Sequence, residues 1–133
     1  YPYERNKEST AYIPPFEKDY IYYMGSLNGG KTEDYLALAK TCSDNIHKDL
    51  DNGYVAIYHD ESHLNHYLRS HSCKALPPSY AYIEGKKMPF EQLIVIRDKV
   101  KVNPYFDKGR DHSLWGLTKK AARILWRGIT WYL

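Results

Sequence analysis

Apolar residues recur along this chain in short runs and helical stripes. The first nineteen residues show no period, and Pro14-Pro15 forbids a helix there. Tyr20-Ile21-Tyr22-Tyr23-Met24 is a run of β-formers and predicts a strand. It gives way to Gly25-Ser26-Leu27-Asn28-Gly29-Gly30, a loop whose small residues let a ligand approach the backbone. Thr32 has the character of an N-cap, and Glu33 and Asp34 suit a first helical turn. Tyr35, Leu38, Ala39, Cys42 and Ile46 follow at intervals of three and four, the stripe of a core-facing helix, and Asn52-Gly53 stops it. Tyr54-Val55-Ala56-Ile57 predicts a second strand, and Leu64, Tyr67 and Leu68 a short amphipathic helix behind it. After Pro77-Pro78, further strands are predicted over residues 79–83 and 93–96, with Glu84-Gly85-Lys86-Lys87 as the turn. Strand, helix, strand, helix, strand is the order of an α/β layered domain.

The polar positions that interrupt this pattern carry the chemistry. His59, Asp60 and Glu61 directly follow the 54–57 run, which places an imidazole and two carboxylates at a strand end, where ligands bind in open α/β sheets. Carboxylates are costly to bury unless something polar or charged meets them. Such a site asks for a ligand rich in hydroxyls, a cation or a developing positive charge.

At 133 residues, with 43% hydrophobic and 26% charged residues, the composition is that of an ordinary globular chain. The formal charge of +3 is too small to argue for nucleic acid, but it is unevenly spread. Residues 97–133 hold nine Lys and Arg against three Asp, a net +6. Within that tail, Leu117, Ala121, Ile124, Leu125 and Ile129 fall on one helical face, with Lys119, Lys120, Arg123 and Arg127 mostly off it. Such a basic amphipathic helix over 115–133 suits a membrane surface, or equally a packing face for other parts of the protein. Cys42 and Cys73 have no metal-like spacing and predict no disulfide scaffold, which is compatible with a reducing compartment. No apolar run reaches transmembrane length, and no signal-peptide pattern opens the chain. No initiator methionine does either, so a segment of something longer is expected.

Several segments together resemble glycosyltransferase family 6, the family of the blood-group A and B transferases and the α1,3-galactosyltransferase. Tyr3-Glu4-Arg5 with Ala11-Tyr12-Ile13-Pro14 is similar to its YER…AYIP stretch. Tyr22-Tyr23-Met24-Gly25-Ser26-Leu27-Asn28-Gly29-Gly30 resembles its aromatic and glycine loop, and His59-Asp60-Glu61-Ser62-His63-Leu64-Asn65 its HDESHLN signature. The likeness runs from residue 1 to about 99. It implies the C-terminal part of a GT-A-like nucleotide-sugar transferase fold over 1–99, carrying the donor-sugar and acceptor side, followed by a basic tail over 100–133. The implied enzyme is a retaining hexosyltransferase. It moves galactose or N-acetylgalactosamine from a UDP-sugar to the 3-hydroxyl of an acceptor galactoside, with the wording of the 28–32 segment closer to bacterial members.

Carried over position by position, the resemblance makes Glu61 the catalytic carboxylate and Asp60 a ligand of donor-sugar hydroxyls. His59 is the neighbouring histidine of the signature, and Tyr58 stands where a tryptophan stacks on the acceptor. Met24 and Ser26, with Gly25 between them, match the pair that sets donor choice. Arg97 and Lys99 resemble basic residues suited to the UDP phosphates, though a solvated charge pair reads nearly as well. The family's acidic metal motif and an acceptor-binding histidine lie upstream of these segments, so no metal ligand is assigned here. Manganese dependence stays open, bacterial members suggesting independence, and the isolated chain is expected to lack turnover. A cytoplasmic location, at or near the inner membrane with a lipid-linked acceptor, follows from the bacterial likeness and the tail.

Three other readings stand beside this one. Gly25…Gly30-Lys31-Thr32 formally matches a phosphate-binding loop, which would make this a nucleoside-triphosphate domain. His59 and His63, four apart, invite a zinc hydrolase, although Glu61 is displaced from the usual H-E-x-x-H order. A non-catalytic glycan-binding module is the third.

Overall fold

The computed structural model describes residues 3–16, 21–107, 111 and 113–132. Tyr20, at the head of the first predicted strand, lies outside them, as do the side chains of Arg127 and Trp131 in the tail. The chain divides into two compact units, one of residues 1–73 with 126–133 and one of residues 74–125.

The first unit is built on two helices, α1 (Thr32–Asp51) and α2 (His59–Tyr67). Helix α1 has Glu33 and Asp34 in its first turn and Lys48 in its last, the signs that the helix dipole favours. Thr32 is its first helical residue rather than the cap; Lys31 takes that place with no side-chain bond. At the other end Gly53, at φ +71, donates its N–H to the Leu50 carbonyl at 2.9 Å and reverses the chain. The expected stripe is half-buried at Leu38, Cys42 and Ile46 but exposed at Tyr35 and Ala39.

Neither predicted strand of this unit forms. Residues 21–24 and 54–56 form no regular element and join no ladder among the described residues, and 57–58 turn directly into α2. Their backbone groups are met by side chains instead. The buried Glu4 carboxylate accepts the Ile57 N–H at 2.8 Å and the Asn6 N–H at 2.7 Å. Asn65 takes the Tyr23 N–H at 2.8 Å and returns its own N–H to the Tyr23 carbonyl at 2.9 Å. Residues 3–16 wrap the helices in the same way. Asp49, 1% exposed, accepts from the Ser9 hydroxyl at 2.5 Å and the Thr10 N–H at 2.7 Å, while His66 Nδ1 meets the Tyr12 carbonyl at 2.9 Å. The Arg5 guanidinium bridges the Ile13 and Pro14 carbonyls. Tyr3, Ala11, Ile13, Ala56 and Leu64 fill the core between them.

The second unit holds a short 3-10 helix (Pro78–Ala81) and two strands, β1 (Tyr82–Ile83) and β2 (Val95–Ile96). They pair in parallel, Tyr82 opposite Val95 and Ile83 opposite Ile96. The strands predicted over 79–83 and 93–96 thus shrink to two residues each, because Pro78 opens a helical turn and Leu93 and Ile94 spend their N–H groups on the Ser79 carbonyl. Helix α3 (Lys99–Val102) and helix α4 (Leu114–Tyr132) complete the chain, the latter starting three residues before the predicted face. The Ser113 hydroxyl accepts the Gly116 N–H at 3.0 Å there. A side chain at Gly116 would meet the Asp111 carbonyl oxygen at 2.3 Å, so only glycine fits. The architecture is mixed, helices with one small parallel sheet, instead of a full α/β layering.

Asp49 and His63 make this fold sensitive to acid. Their side chains are each 2% exposed, with His63 Nε2 3.7 Å from Asp49 Oδ2. Burial drives the His63 pKa below its ordinary value, against the opposing pull of Asp49. For Asp49, burial pushes upward, but the Ser9 and Thr10 hydrogen bonds and His63 together bring it below the ordinary range. The unfolded chain therefore binds more protons than the folded one below about pH 6.5, through His63, and again below about pH 4, through Asp49. Stability should fall in two steps as pH drops through those values. In urea titrations of the chain, His63→Gln should flatten the first step and leave the second.

Candidate functional site

The left-handed residue that opens α2 sets the site's layout. His59 sits at φ +48, unusual for a residue with a side chain, and its N–H reaches the Ala56 carbonyl at 2.9 Å. The bend lets residues 54–58 run straight into the helix. His59, Asp60 and Glu61 thus occupy a first helical turn, where the dipole favours carboxylates, and not a strand end. The Ser62 hydroxyl accepts the Tyr58 N–H at 3.0 Å and is buried. Asp60 is left exposed.

Glu61 turns the other way, toward the glycine loop. Its Oε1 accepts the Tyr22 hydroxyl at 2.5 Å and its Oε2 the Gly25 N–H at 2.7 Å. A Cβ at Gly25 would lie 3.3 Å from Oε2, a tight contact that would push the carboxylate back by a few tenths of an ångström. The group that approaches the loop backbone at Gly25 is a side chain of the protein. Asn65, one turn on and 2% exposed, completes the clamp, its Nδ2 donating to the Glu61 carbonyl at 2.8 Å besides its two bonds to Tyr23. The Tyr22 ring stacks at a tilt on Tyr3, centroids 5.5 Å apart. Met24 and Ser26 flank the bonded amide of Gly25, so these two positions lie next to the residue that holds Glu61.

On the other side of the 54–63 segment lies a cleft of about 290 Å³. Ile46, Leu50, Val55 and Ala56 give it apolar walls, and His59, Asp60 and His63 its polar edge. The Cys42 thiol, carried on α1, has its pKa raised by burial and then by the charge of Asp60.

Arg97 and Lys99 belong to the second unit. Between them Asp98 caps α3 through the Val100 N–H at 3.0 Å and takes the Glu84 carboxylate on its own N–H at 2.7 Å. The Lys99 ammonium stands 5.4 Å from the Phe106 ring centroid. Tyr22 and Asn65 carry much of the Glu61 geometry yet were not singled out from sequence. The signal was present: Asn65 is one helical turn from Glu61, and Tyr22 is three residues from Gly25.

The rival chemistries fare poorly in this arrangement. Among the described residues no group of three or more His, Cys, Asp or Glu side chains converges on a metal position. His63 is buried against Asp49, whereas His59 is exposed. Lys31 and Thr32 open a helix, as a phosphate loop would, but no paired strand precedes them among the described residues.

Comparison with known proteins gives the family of the chain. The sequence model of glycosyltransferase family 6 matches residues 1–105, and the chain belongs to that family. It is 43% identical over 83 residues to histo-blood group ABO system transferase 2 of Rattus norvegicus, covering 62% of this chain and 25% of that protein. It is 35% identical over 105 residues to the O-antigen biosynthesis glycosyltransferase WbnI of Escherichia coli, covering 79% and 44%. With globoside alpha-1,3-N-acetylgalactosaminyltransferase 1 of Gallus gallus it shares 38% over 96 residues, covering 71% and 28%. The chain thus spans between a quarter and somewhat under half the length of these relatives.

The clamp predicts a ranking of stabilities. Asn65→Ala leaves the Tyr23 N–H and the Tyr23 carbonyl without partners and should cost about 3 kcal/mol. Tyr22→Phe removes one hydroxyl from a half-buried carboxylate and should cost about 1 kcal/mol. Urea midpoints of the two variants check the order, and equal losses would remove Asn65 from its central place.

Proposed function

We propose that this chain supplies the donor-sugar and acceptor side of a retaining hexosyltransferase. The reaction moves galactose or N-acetylgalactosamine from a UDP-sugar to the 3-hydroxyl of an acceptor galactoside in surface-glycan synthesis. Residues 1–99 carry this part in a GT-A-like fold, and 100–133 form its basic tail. The observation that carries the reading is the Glu61 carboxylate, fixed by the Tyr22 hydroxyl and the Gly25 amide beside Met24 and Ser26.

The chemistry follows from that placement. When the bond from the anomeric carbon to UDP breaks, its electron pair leaves with the diphosphate and positive charge develops on the sugar ring. A carboxylate beside that carbon stabilises the charge, or bonds to the carbon and is displaced by the acceptor oxygen. Two fixed donors hold the Glu61 carboxyl in one rotamer, which keeps its remaining lone pairs in a constant direction. Asp60, exposed on the next position of the turn, is free to accept donor-sugar hydroxyls, with His59 beside it. Tyr58 offers an aromatic face to the acceptor. Arg97 and Lys99 are assigned to the UDP phosphates, and we place the reaction in the cytoplasm with the acceptor carried on a lipid.

In the native polypeptide that contains these residues, Glu61→Gln should lower kcat by two or more orders of magnitude, on the order of an oxyanion-type loss, with UDP affinity nearly unchanged. Near-normal turnover would sink the assignment.

Donor choice gives a second test. Ser26 fills space that a glycine would leave to an N-acetyl group, and Met24 adds bulk from the same side, so galactose is the preferred sugar. Ser26→Gly should shift the kcat/KM ratio toward UDP-N-acetylgalactosamine by roughly tenfold, the scale of a small change in pocket volume. A wild-type preference for the N-acetylated donor would refute the lean.

A further inference from the structure

Helix α4 keeps its apolar side chains in water. Leu114, Trp115, Leu117, Ile124, Leu125 and Ile129 are between 54% and 82% exposed. At 3.6 residues per turn the five aliphatic ones share one arc, and Lys119, Lys120 and Arg123 occupy the opposite one. Trp115 lies at the border of the two arcs, with the Lys119 ammonium 5.3 Å from its ring centroid. An indole at such a border has an apolar body on one side and a polar N–H toward the other, the arrangement favoured at a water–lipid boundary.

Charge decides what the face fits. The helix contains no Asp or Glu, and residues 97–133 carry a net +6, so an occupant has to supply the negative charge. A second copy of the helix would set like charges against each other without an acid to relieve them. Crossing a bilayer is ruled out for this element, since no described helix is long and apolar enough. A surface that offers apolar depth and phosphate together meets both requirements of the helix. We propose that α4 lies in the plane of an anionic lipid surface. Its aliphatic arc sits at the acyl boundary, and Lys119, Lys120 and Arg123 face lipid phosphates. This is independent of the sugar-transfer reading, because it concerns no residue of that site.

The test uses the full 133-residue chain and vesicles of phosphatidylcholine alone or of equimolar phosphatidylcholine and phosphatidylglycerol. Flotation should recover the chain with the anionic vesicles only, its tryptophan emission shifting to the blue, and added salt should weaken the binding by screening. Replacing the three cations (Lys119→Gln, Lys120→Gln and Arg123→Gln together) should weaken partitioning on the order of a hundredfold. Leu125→Asp should also weaken it, although it leaves the cations in place. All four positions lie on a helix surface, and salt and lipid composition vary on the unaltered chain, so loss of folding cannot imitate the result. Equal recovery with both vesicle types, or a triple variant that floats as well as the original, would overturn the proposal. So would lipid-free self-association of the chain that Leu125→Asp abolishes, which would give the face to a second copy.

Discussion

A backbone segment that joins no helix or sheet must find hydrogen-bond partners elsewhere, and the first unit is organised around that need. Its 3–16, 21–24 and 54–58 segments bring N–H and C=O groups into the interior with no ladder to absorb them. Glu4, Asp49, Asn65 and His66 supply the missing partners between segments distant in sequence, and Arg5 does so within the 3–16 segment. Loss of one such side chain leaves at least one backbone group stranded. That is why polar residues, and not only the small apolar core of Tyr3, Ala11, Ile13, Ala56 and Leu64, hold the unit together.

The two acidic residues of the turn have opposite environments, and the backbone makes the difference. Successive helical positions point about 100° apart, so Asp60 and Glu61 cannot face the same neighbour. Glu61 is directed at the glycine loop and is held by two donors, while Asp60 faces the exposed side near the cleft. Two carboxylates placed together on the sequence are thereby separated into one that is oriented and one that is available.

Helix α1 was legible because its signals are local: acids at the start, a three-and-four stripe and Asn52-Gly53 at the end. The 54–57 strand was not, because a β-rich run becomes a strand only where another strand can pair with it. There Asp49, Glu4 and Ser62 take the amides of residues 54, 57 and 58 first. The motifs singled out Glu61, Met24, Gly25 and Ser26 one by one. What they could not convey is the direction of the Glu61 side chain, which depends on Tyr22 and Asn65 and on the left-handed turn at His59. Membership of glycosyltransferase family 6 rests on a match to residues 1–105, slightly beyond the reach of those motifs, and leaves the tail outside it.

The amide that grips Glu61 belongs to Gly25, the residue lying between Met24 and Ser26. Any substitution at either neighbour that shifts the loop by a few tenths of an ångström is passed along one peptide bond to the carboxylate. Changing the residues on either side of Gly25 and keeping the Glu61 carboxylate in register are therefore coupled problems in this protein. A variant that widens the loop would have to be selected together with a compensating change at Tyr22 or Asn65, and a library that mutates positions 24 and 26 alone would discard such pairs unseen.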